Sequence, residues 1–419
     1  MNIVILNDAA YIRGGGDRVA FDSAIALASS GHRVILFTAF SPVATELQSC
    51  AGLTVICLGT PWLREEQRSW RAAFRGMWNW KAAGRLREVL TEFDPRDTVV
   101  HAHLYSSALT ASVLHASIRA GFVTVLTLHD YFITCPNGSY FVFPQAQACE
   151  RRALSLSCLS CHCDSRKRVH KVWRFARTWL QNRIAQVPRR LSAYIAVSQI
   201  CAKRACRDLP ATARIEVISD MVAIERQPPV DVARNRAFVF TGRLETYKGP
   251  QLLAQAAARL RVPAIFCGTG PLEAELRRIY PEAVFTGWVQ PAEIVRELGR
   301  ARALVFPSIF GETFGLSAAE ALARGIPVVA SRGTAPEEFV HHGRNGLLFT
   351  HNSVDDLVVQ MASLADDEVV SRMGATAYQD YWEKPLTTDA HLVQLEAFYR
   401  SVLDRGRTSN TQCPRTATG

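Results

Sequence analysis

The chain has 419 residues, 48% of them hydrophobic and 21% charged, a globular composition that excludes a disordered or fibrous protein. At that length one hydrophobic core stops growing, so two domains of about 150–200 residues each are expected. The formal net charge is +10, and residues 151–190 alone carry eleven Lys or Arg against one acid, Asp164; with no nucleic-acid-binding motif present, this excludes nucleic acid in favour of a local basic surface facing acidic lipid head groups or a polyanionic substrate.

The chain opens on the strand NIVIL, with Asp8 close behind. That apolar run is too short for a secretory signal, so a cytoplasmic location is expected. Next come a loop holding Gly14, Gly15 and Gly16, a helix DRVAFDSAIALASS ended by Gly31, and the strand RVILFTA, which together make a βαβ unit. The uncharged stretch from Thr98 to Ile118 is long enough for a membrane span, but His101, His103 and His115 interrupt it. It reads as a strand, TVVHAHL, followed by a helix. TVLTLHD and AYIAVSQ continue the alternation, so residues 1–217 are expected to form a doubly wound parallel sheet.

Residues 218–236 are rich in proline, charge and turn formers and read as an interdomain linker. From 237 to 385 the strands AFVFTG, AIFCG, AVFTG, ALVFPS and IPVVAS alternate with helical segments, which implies a second α/β half facing the first. A helix over 386–404 carries an apolar stripe at Leu392, Leu395, Phe398 and Val402, and residues 405–419 are expected to be a disordered tail.

Ligands of such sheets bind at the carboxyl ends of the strands. In the second half those ends carry GRLETYKG (242–249), GTGP, GW (287–288) and FGETFG (310–315). Glycines that admit close backbone approach, with Arg243 and Lys248 as fixed cations, are suited to an anion such as a diphosphate. A dinucleotide is disfavoured: RGGGDR lacks the G-x-G-x-x-G spacing, and RVILFTA ends in Thr38 and Ala39 without an acid for the ribose. Just beyond, Glu312 and Glu320 frame seven small or apolar residues, and Ser317 with Glu320 fits a helix-capping S-x-x-E box.

The run from GRLETYKG through FGETFGLSAAEALARGIPVVAS to GRNGLLF resembles the donor-binding half of family 4 retaining glycosyltransferases, and the GGG loop, the VVHAH strand, the LHD strand end and the closing helix fit the same family. The resemblance implies the GT-B fold, two facing Rossmann-like domains with a C-terminal helix returning to the first. It implies that Arg243 and Lys248 bind the diphosphate of a nucleotide-sugar donor, that Glu312 accepts from the sugar hydroxyls and Glu320 from the ribose. The amides of Phe314, Gly315 and Leu316 then meet sugar and phosphate oxygens, Gly15 and Gly16 close over the phosphates, and His129 stands beside the transferred sugar. Gly287 and Trp288 border the base. The implied reaction moves a sugar with retention, on one face and without a covalent nucleophile, in polysaccharide or glycoconjugate synthesis. No D-x-D triplet occurs, so no metal cofactor is required to account for phosphate neutralisation. One departure stands out: where the family usually has Pro-Asn-Gly, this chain has Ser219, Asp220 and Met221. A catalytically silent partner subunit and a nucleotide-sugar epimerase are alternatives on the same fold.

Within an insertion at about 131–190 lie Cys135, Cys149, Cys158, Cys161 and Cys163, a spacing that favours a structural zinc site or reduced thiols over disulfides. RKRVHKVWRFARTWLQNRI places Val169, Val172, Trp173, Ala176, Leu180 and Ile184 on one helical stripe, and residues 70–78 do the same for Trp70, Phe74, Met77 and Trp78. Such stripes either pack on the first domain or lie in a membrane interface. The second case would put the protein at the inner face of an anionic membrane and point to a polyprenyl-linked acceptor among the expected acceptors, which are saccharide or polyprenyl-linked.

Overall fold

Strand β1 (Asn2–Ala9) is buried at almost every position, because a parallel sheet with helices on both faces leaves neither side of a central strand to water. In the computed structural model, which describes residues 1–60 and 69–410, β1 is joined by β2 (Arg33–Phe40), β3 (Leu53–Cys57), β4 (Thr98–Ala102) and β5 (Val123–Leu128). A small antiparallel hairpin, β6 (Phe141–Val142) with β7 (Gln147–Ala148), stands apart, and β8 (Ala193–Ala196) and β9 (Ile215–Val217) complete the sheet. The order is β3-β2-β1-β4-β5-β8-β9, all parallel, with Ile3 opposite Val34 on one side and Val99 on the other. The edge strands β3 and β9 are only partly buried, so they lack the continuous apolar run that marks the others in the sequence.

Residues 218–236 carry neither helix nor strand. The second sheet follows with β10 (Ala237–Thr241), β11 (Ala264–Cys267), β12 (Val284–Gly287), β13 (Ala301–Phe306), β14 (Val328–Ser331) and β15 (Gly346–Phe349), ordered β12-β11-β10-β13-β14-β15 and again parallel. The strand order reverses between β1 and β4 in one sheet and between β10 and β13 in the other. Those reversals open a crevice at the strand ends, and the loops that carry the candidate residues leave from there.

The last helix, Thr388–Asn410, returns to the first domain and buries Leu395, Phe398, Tyr399, Val402 and Leu403 beside Ile3, Ile5 and Val34. It overturns part of the expected disordered tail: residues 405–410 are helical, since each residue added to a formed helix gains a backbone hydrogen bond. Residues 411–419 lie outside the described residues.

The insertion folds over the first domain as helix Leu156–Ser160 and helix Arg168–Trp179. Here the charges turn inward. Lys171 is buried, Arg174 pairs with Asp164 at 3.1 Å, and Arg177 donates to the Ser106 carbonyl at 2.8 Å. Val169 and Val172 face outward, while Trp173 donates to the Ala73 carbonyl at 3.2 Å and ties this helix to helix Ser69–Met77. Phe74 is exposed on that helix, with Met77 and Trp78 half-buried; the side chain of Trp70 lies outside the described residues.

Candidate functional site

The segment after β10 makes a tight turn, Thr246–Lys248, that ends at Gly249 with φ +72°. A Cβ on Gly249 would lie 2.0 Å from the Pro307 carbonyl oxygen, so only glycine lets the turn press against the end of β13. The Tyr247 carbonyl accepts the Ile309 amide at 3.0 Å and fixes that contact. Lys248 is thereby delivered to Glu312: its Nζ donates to Oε1 at 2.6 Å, and Ser308 Oγ donates to the same oxygen at 2.7 Å. Glu312 is 8% exposed, so its carboxylate needs such partners. Among the described residues nothing donates to Oε2, and the ammonium has two further protons to give. One carboxylate oxygen is anchored and the other is offered.

Arg243 is set apart from this pair. Its guanidinium bonds Glu245 at 3.3 Å and lies 5.5 Å over the Tyr247 ring, on an exposed rim. Tyr247 packs edge-on against Phe310 and against Phe143 of the first-domain insertion, both at 5.6 Å, so the insertion covers the back of the turn. Phe314 is buried against Phe339, and Gly315, at φ +103°, is the N-cap of helix Leu316–Leu322. Pro336 Cγ would lie 2.6 Å from a Cβ at that position. Because the helix starts there, Ser317 is its second residue and the expected capping box is not formed. Glu320, half-buried on this helix, has its pKa raised by burial, with Arg324 and the first domain's Arg18 opposing the shift. Gly287 ends β12 and the exposed Trp288 follows it, at the sheet edge two strands from β10.

The first domain closes on this loop. Gly14 caps helix Gly15–Ser29, so Gly15 and Gly16, expected in a loop, form its first turn; a Cβ on Gly15 would meet Leu316 Cδ1 at 2.7 Å, and one on Gly16 would meet the His129 Cβ at 3.2 Å, which puts this helix start between His129 and the start of helix Leu316–Leu322. Asp17, in the same turn, fixes the entry to the helix by accepting from the Arg13 amide (3.1 Å) and guanidinium (2.9 Å) and from Asn7 Nδ2 (2.9 Å). Asp8 accepts the amides of Ser107, Ala108 and Leu109 and fixes the neighbouring loop. Ser198 Oγ donates to the Thr313 carbonyl at 2.7 Å, Thr313 Oγ1 donates to the His129 carbonyl at 3.3 Å, and the Glu338 carboxylate accepts the amides of Gln199 and Ile200. Sequence reading missed Ser308, Asp8, Asp17, Ser198 and Glu338, because each acts through a partner distant in the chain or through main-chain atoms.

His129 is almost fully enclosed. Its Nε2 shares a hydrogen bond with His103 Nδ1 at 2.9 Å, and its Nδ1 stands 3.8 Å from Asp220. The ring of His101 lies 4.2 Å from that of His103 and bonds Tyr399 at 2.5 Å and Thr127 at 2.7 Å. Burial pushes His101 and His129 down to about 3 and Asp220 up to about 8. Both members of the His129–Asp220 pair are therefore neutral near pH 7.

A pH dependence follows. Below pH 6.5 the unfolded histidines take up protons that the folded ones refuse, so this contribution to stability is present above 6.5 and lost as pH falls toward 3. Asp220 acts oppositely: between 3.8 and 8 its folded form holds the extra proton, so its cost eases on acidification. Burial lowers His103 as well and raises the neighbouring Asp130 to about 6; the three histidines outweigh the two aspartates, and urea midpoints should fall from pH 7 to pH 5, at up to about 1.4 kcal/mol per pH unit for each net proton. In Asp220→Asn the fall should be steeper. A midpoint that is flat in both proteins would contradict these protonation states.

The five clustered cysteines are brought together as free thiols. Cys149, Cys161 and Cys163 pack with Val142, Cys135 Sγ contacts Asn137 Oδ1 at 3.0 Å, and the buried Lys171 Nζ donates to Cys158 Sγ at 3.4 Å. Burial raises the Cys135 thiol to about 11. Among the described residues no group of three or more His, Cys, Asp or Glu is set to hold a metal ion, and two of the sulfurs, those of Cys158 and Cys163, face the Lys171 ammonium.

Residues 13–226 match the family described as Glycosyltransferase Family 4, and residues 235–367 match Glycosyl transferases group 1. A GDP-mannose-dependent alpha-mannosyltransferase of Corynebacterium glutamicum is 31% identical over 165 residues, 39% of this chain and 39% of that protein. The O-antigen chain mannosyltransferase C of Escherichia coli is 28% identical over 174 residues, 40% of this chain and 47% of that protein. The chain thus spans less than half the length of these relatives. In fold it is similar to Anabaena Alr3699/HepE in complex with UDP-glucose (TM-score 0.67, 19% identity, 96% of this chain and 100% of that one) and to a sucrose-phosphate synthase from Thermosynechococcus elongatus (TM-score 0.71, 18% identity, 96% and 99%). Those likenesses establish the two-domain GT-B architecture.

Proposed function

The chain belongs to glycosyltransferase family 4, and from that premise we propose that it moves a sugar from a nucleotide diphosphate donor to a saccharide or polyprenyl-linked acceptor with retention of configuration. The observation that carries this reading is the Lys248–Glu312 pair at 2.6 Å, at the mouth of the strand-order reversal in the second sheet. Breaking the bond from sugar to phosphate builds negative charge on the departing diphosphate. Lys248, Arg243 at the rim and the first amides of helix Leu316–Leu322, which have no intrahelical acceptor, offset that charge in place. Glu312 Oε2 accepts from a sugar hydroxyl, and Glu320 from the ribose. The helix start at Gly15 and Gly16 closes over the phosphates. His129, with both ring nitrogens turned into the protein, acts as a positioning residue that holds Gly16 and the Thr313 loop in register.

Of the similar proteins, one is GDP-mannose-dependent and another is in complex with UDP-glucose, which supports a nucleotide sugar with the base to be decided by experiment. A panel of UDP, GDP and ADP sugars scored by thermal shift decides it. At a hundredfold excess over Kd the correct donor should stabilise the protein by about 2.7 kcal/mol. No stabilisation by any member of the panel would refute the donor site. The cysteine module is assigned a structural role, its thiols and Lys171 holding helix Leu156–Ser160 to helix Arg168–Trp179. Stoichiometric zinc in protein purified without chelator would assign those thiols to a metal instead.

A further inference from the structure

We propose that the first-domain surface formed by Trp80, helix Leu156–Ser160 and helix Arg168–Trp179 with the turn after it docks on an anionic lipid bilayer. Helix Arg168–Trp179 is inverted relative to an ordinary surface helix. Its central cations, Lys171, Arg174 and Arg177, are spent on interior partners: the Cys158 thiol, Asp164 and the Ser106 carbonyl. Its outer face is apolar, with Val169 65%, Val172 55% and Trp179 46% exposed, and Ile184 in the following turn 61% exposed. Leu156 of the neighbouring helix is 86% exposed and Trp80 72%. Lys171 bonding Cys158 joins the two helices, and Trp173 bonding Ala73 ties them to helix Ser69–Met77, beyond whose end Trp80 packs on Trp78 at 5.8 Å.

Exposed large apolar side chains at this density mark an interaction site. Charge identifies the partner. Of the eleven cations in residues 151–190, eight are exposed, among them Arg166, Lys167, Arg168 and Arg183 at the two ends of the apolar face. A soluble polyanion would engage those cations and leave the aliphatic side chains in water. An anionic bilayer engages both, the cations at the head groups and the Trp and aliphatic side chains at the acyl boundary. No helix among the described residues is long and apolar enough to cross a membrane, so the contact is peripheral. This inference rests on the surface alone and not on the donor site.

Sedimentation of the full chain with vesicles tests it. The protein should pellet with phosphatidylcholine vesicles containing phosphatidylglycerol, should not pellet with phosphatidylcholine alone, and should be released by high salt. The triple variant Val169→Ser, Val172→Ser, Ile184→Ser should bind anionic vesicles about tenfold more weakly, with an unchanged far-UV spectrum and an unchanged melting temperature. Failure to pellet with anionic vesicles at low salt would overturn the proposal. So would undiminished binding by the triple variant, which would reduce the contact to charge alone. A vesicle-independent dimer that the same variant dissociates would assign the face to a second copy of the chain and equally overturn it.

Discussion

Lys248→Ala is expected to lower the rate of sugar transfer by about 10²–10³-fold, the loss that accompanies removal of one preorganised group facing developing charge. The same change leaves Glu312, 8% exposed, with Ser308 as its remaining side-chain donor, so it should also cost about 1–3 kcal/mol of stability, a figure reduced because Lys248 is partly exposed. The two effects separate in the double variant Lys248→Ala, Glu312→Gln. Removing the uncompensated carboxylate should return most of the stability in urea denaturation, while transfer stays as low as in the single variant or lower. Recovery of transfer along with stability would mean that the pair serves folding alone. Arg243→Ala, on an exposed rim with a long contact to Glu245, should cost little stability and act mainly on donor affinity.

Gly249→Ala is the second large effect. At φ +72°, with the Pro307 carbonyl oxygen 2.0 Å from any Cβ, an alanine must both adopt a disfavoured conformation and push the 246–248 turn off β13. A loss of about 2–4 kcal/mol is expected, together with loss of the Lys248 geometry. Gly343→Ala supplies the control. It shares the conformation, at φ +77°, but has nothing within 4 Å of its Cβ, so it should cost only about 1–2 kcal/mol and spare activity. Equal losses at the two sites would show that the close approach to Pro307 contributes nothing.

Much of this site could be read from sequence because parallel-sheet topology forces function to the carboxyl ends of strands, and the glycine-rich ends stand out against apolar runs. Arg243, Lys248 and Glu312 were singled out as candidates in that way. What sequence could not show was the division of labour: Lys248 is locked to Glu312, whereas Arg243 stands on the rim, a difference set by the contact of Gly249 with Pro307. Glu320 was read as a ribose acceptor, with a helix cap as the alternative because Ser317 lies three residues before it; the left-handed Gly315 starts the helix two residues earlier than that cap requires. His129 was read as standing beside the sugar; sequence could not show that its ring bonds His103 and lies 3.8 Å from Asp220, partners brought in from the end of β4 and from the segment after β9. The helix at 168–179 carries an apolar stripe that is compatible with burial or exposure, and the sense was decided by Lys171, Arg174 and Arg177 finding interior acceptors. Edge strands β3 and β9 escaped notice because they are short and only half-covered.

The central claim is that the Lys248–Glu312 cleft uses a nucleotide sugar. Its most direct measurement is release of nucleoside diphosphate by the purified chain from a panel of UDP, GDP and ADP sugars, with a membrane extract supplying acceptors, beside Lys248→Ala. Release from at least one donor by the parent protein, nearly abolished in the variant, is the expected result. Release that is equal in both proteins, or absent for every donor while none of them shifts the melting temperature, would contradict it.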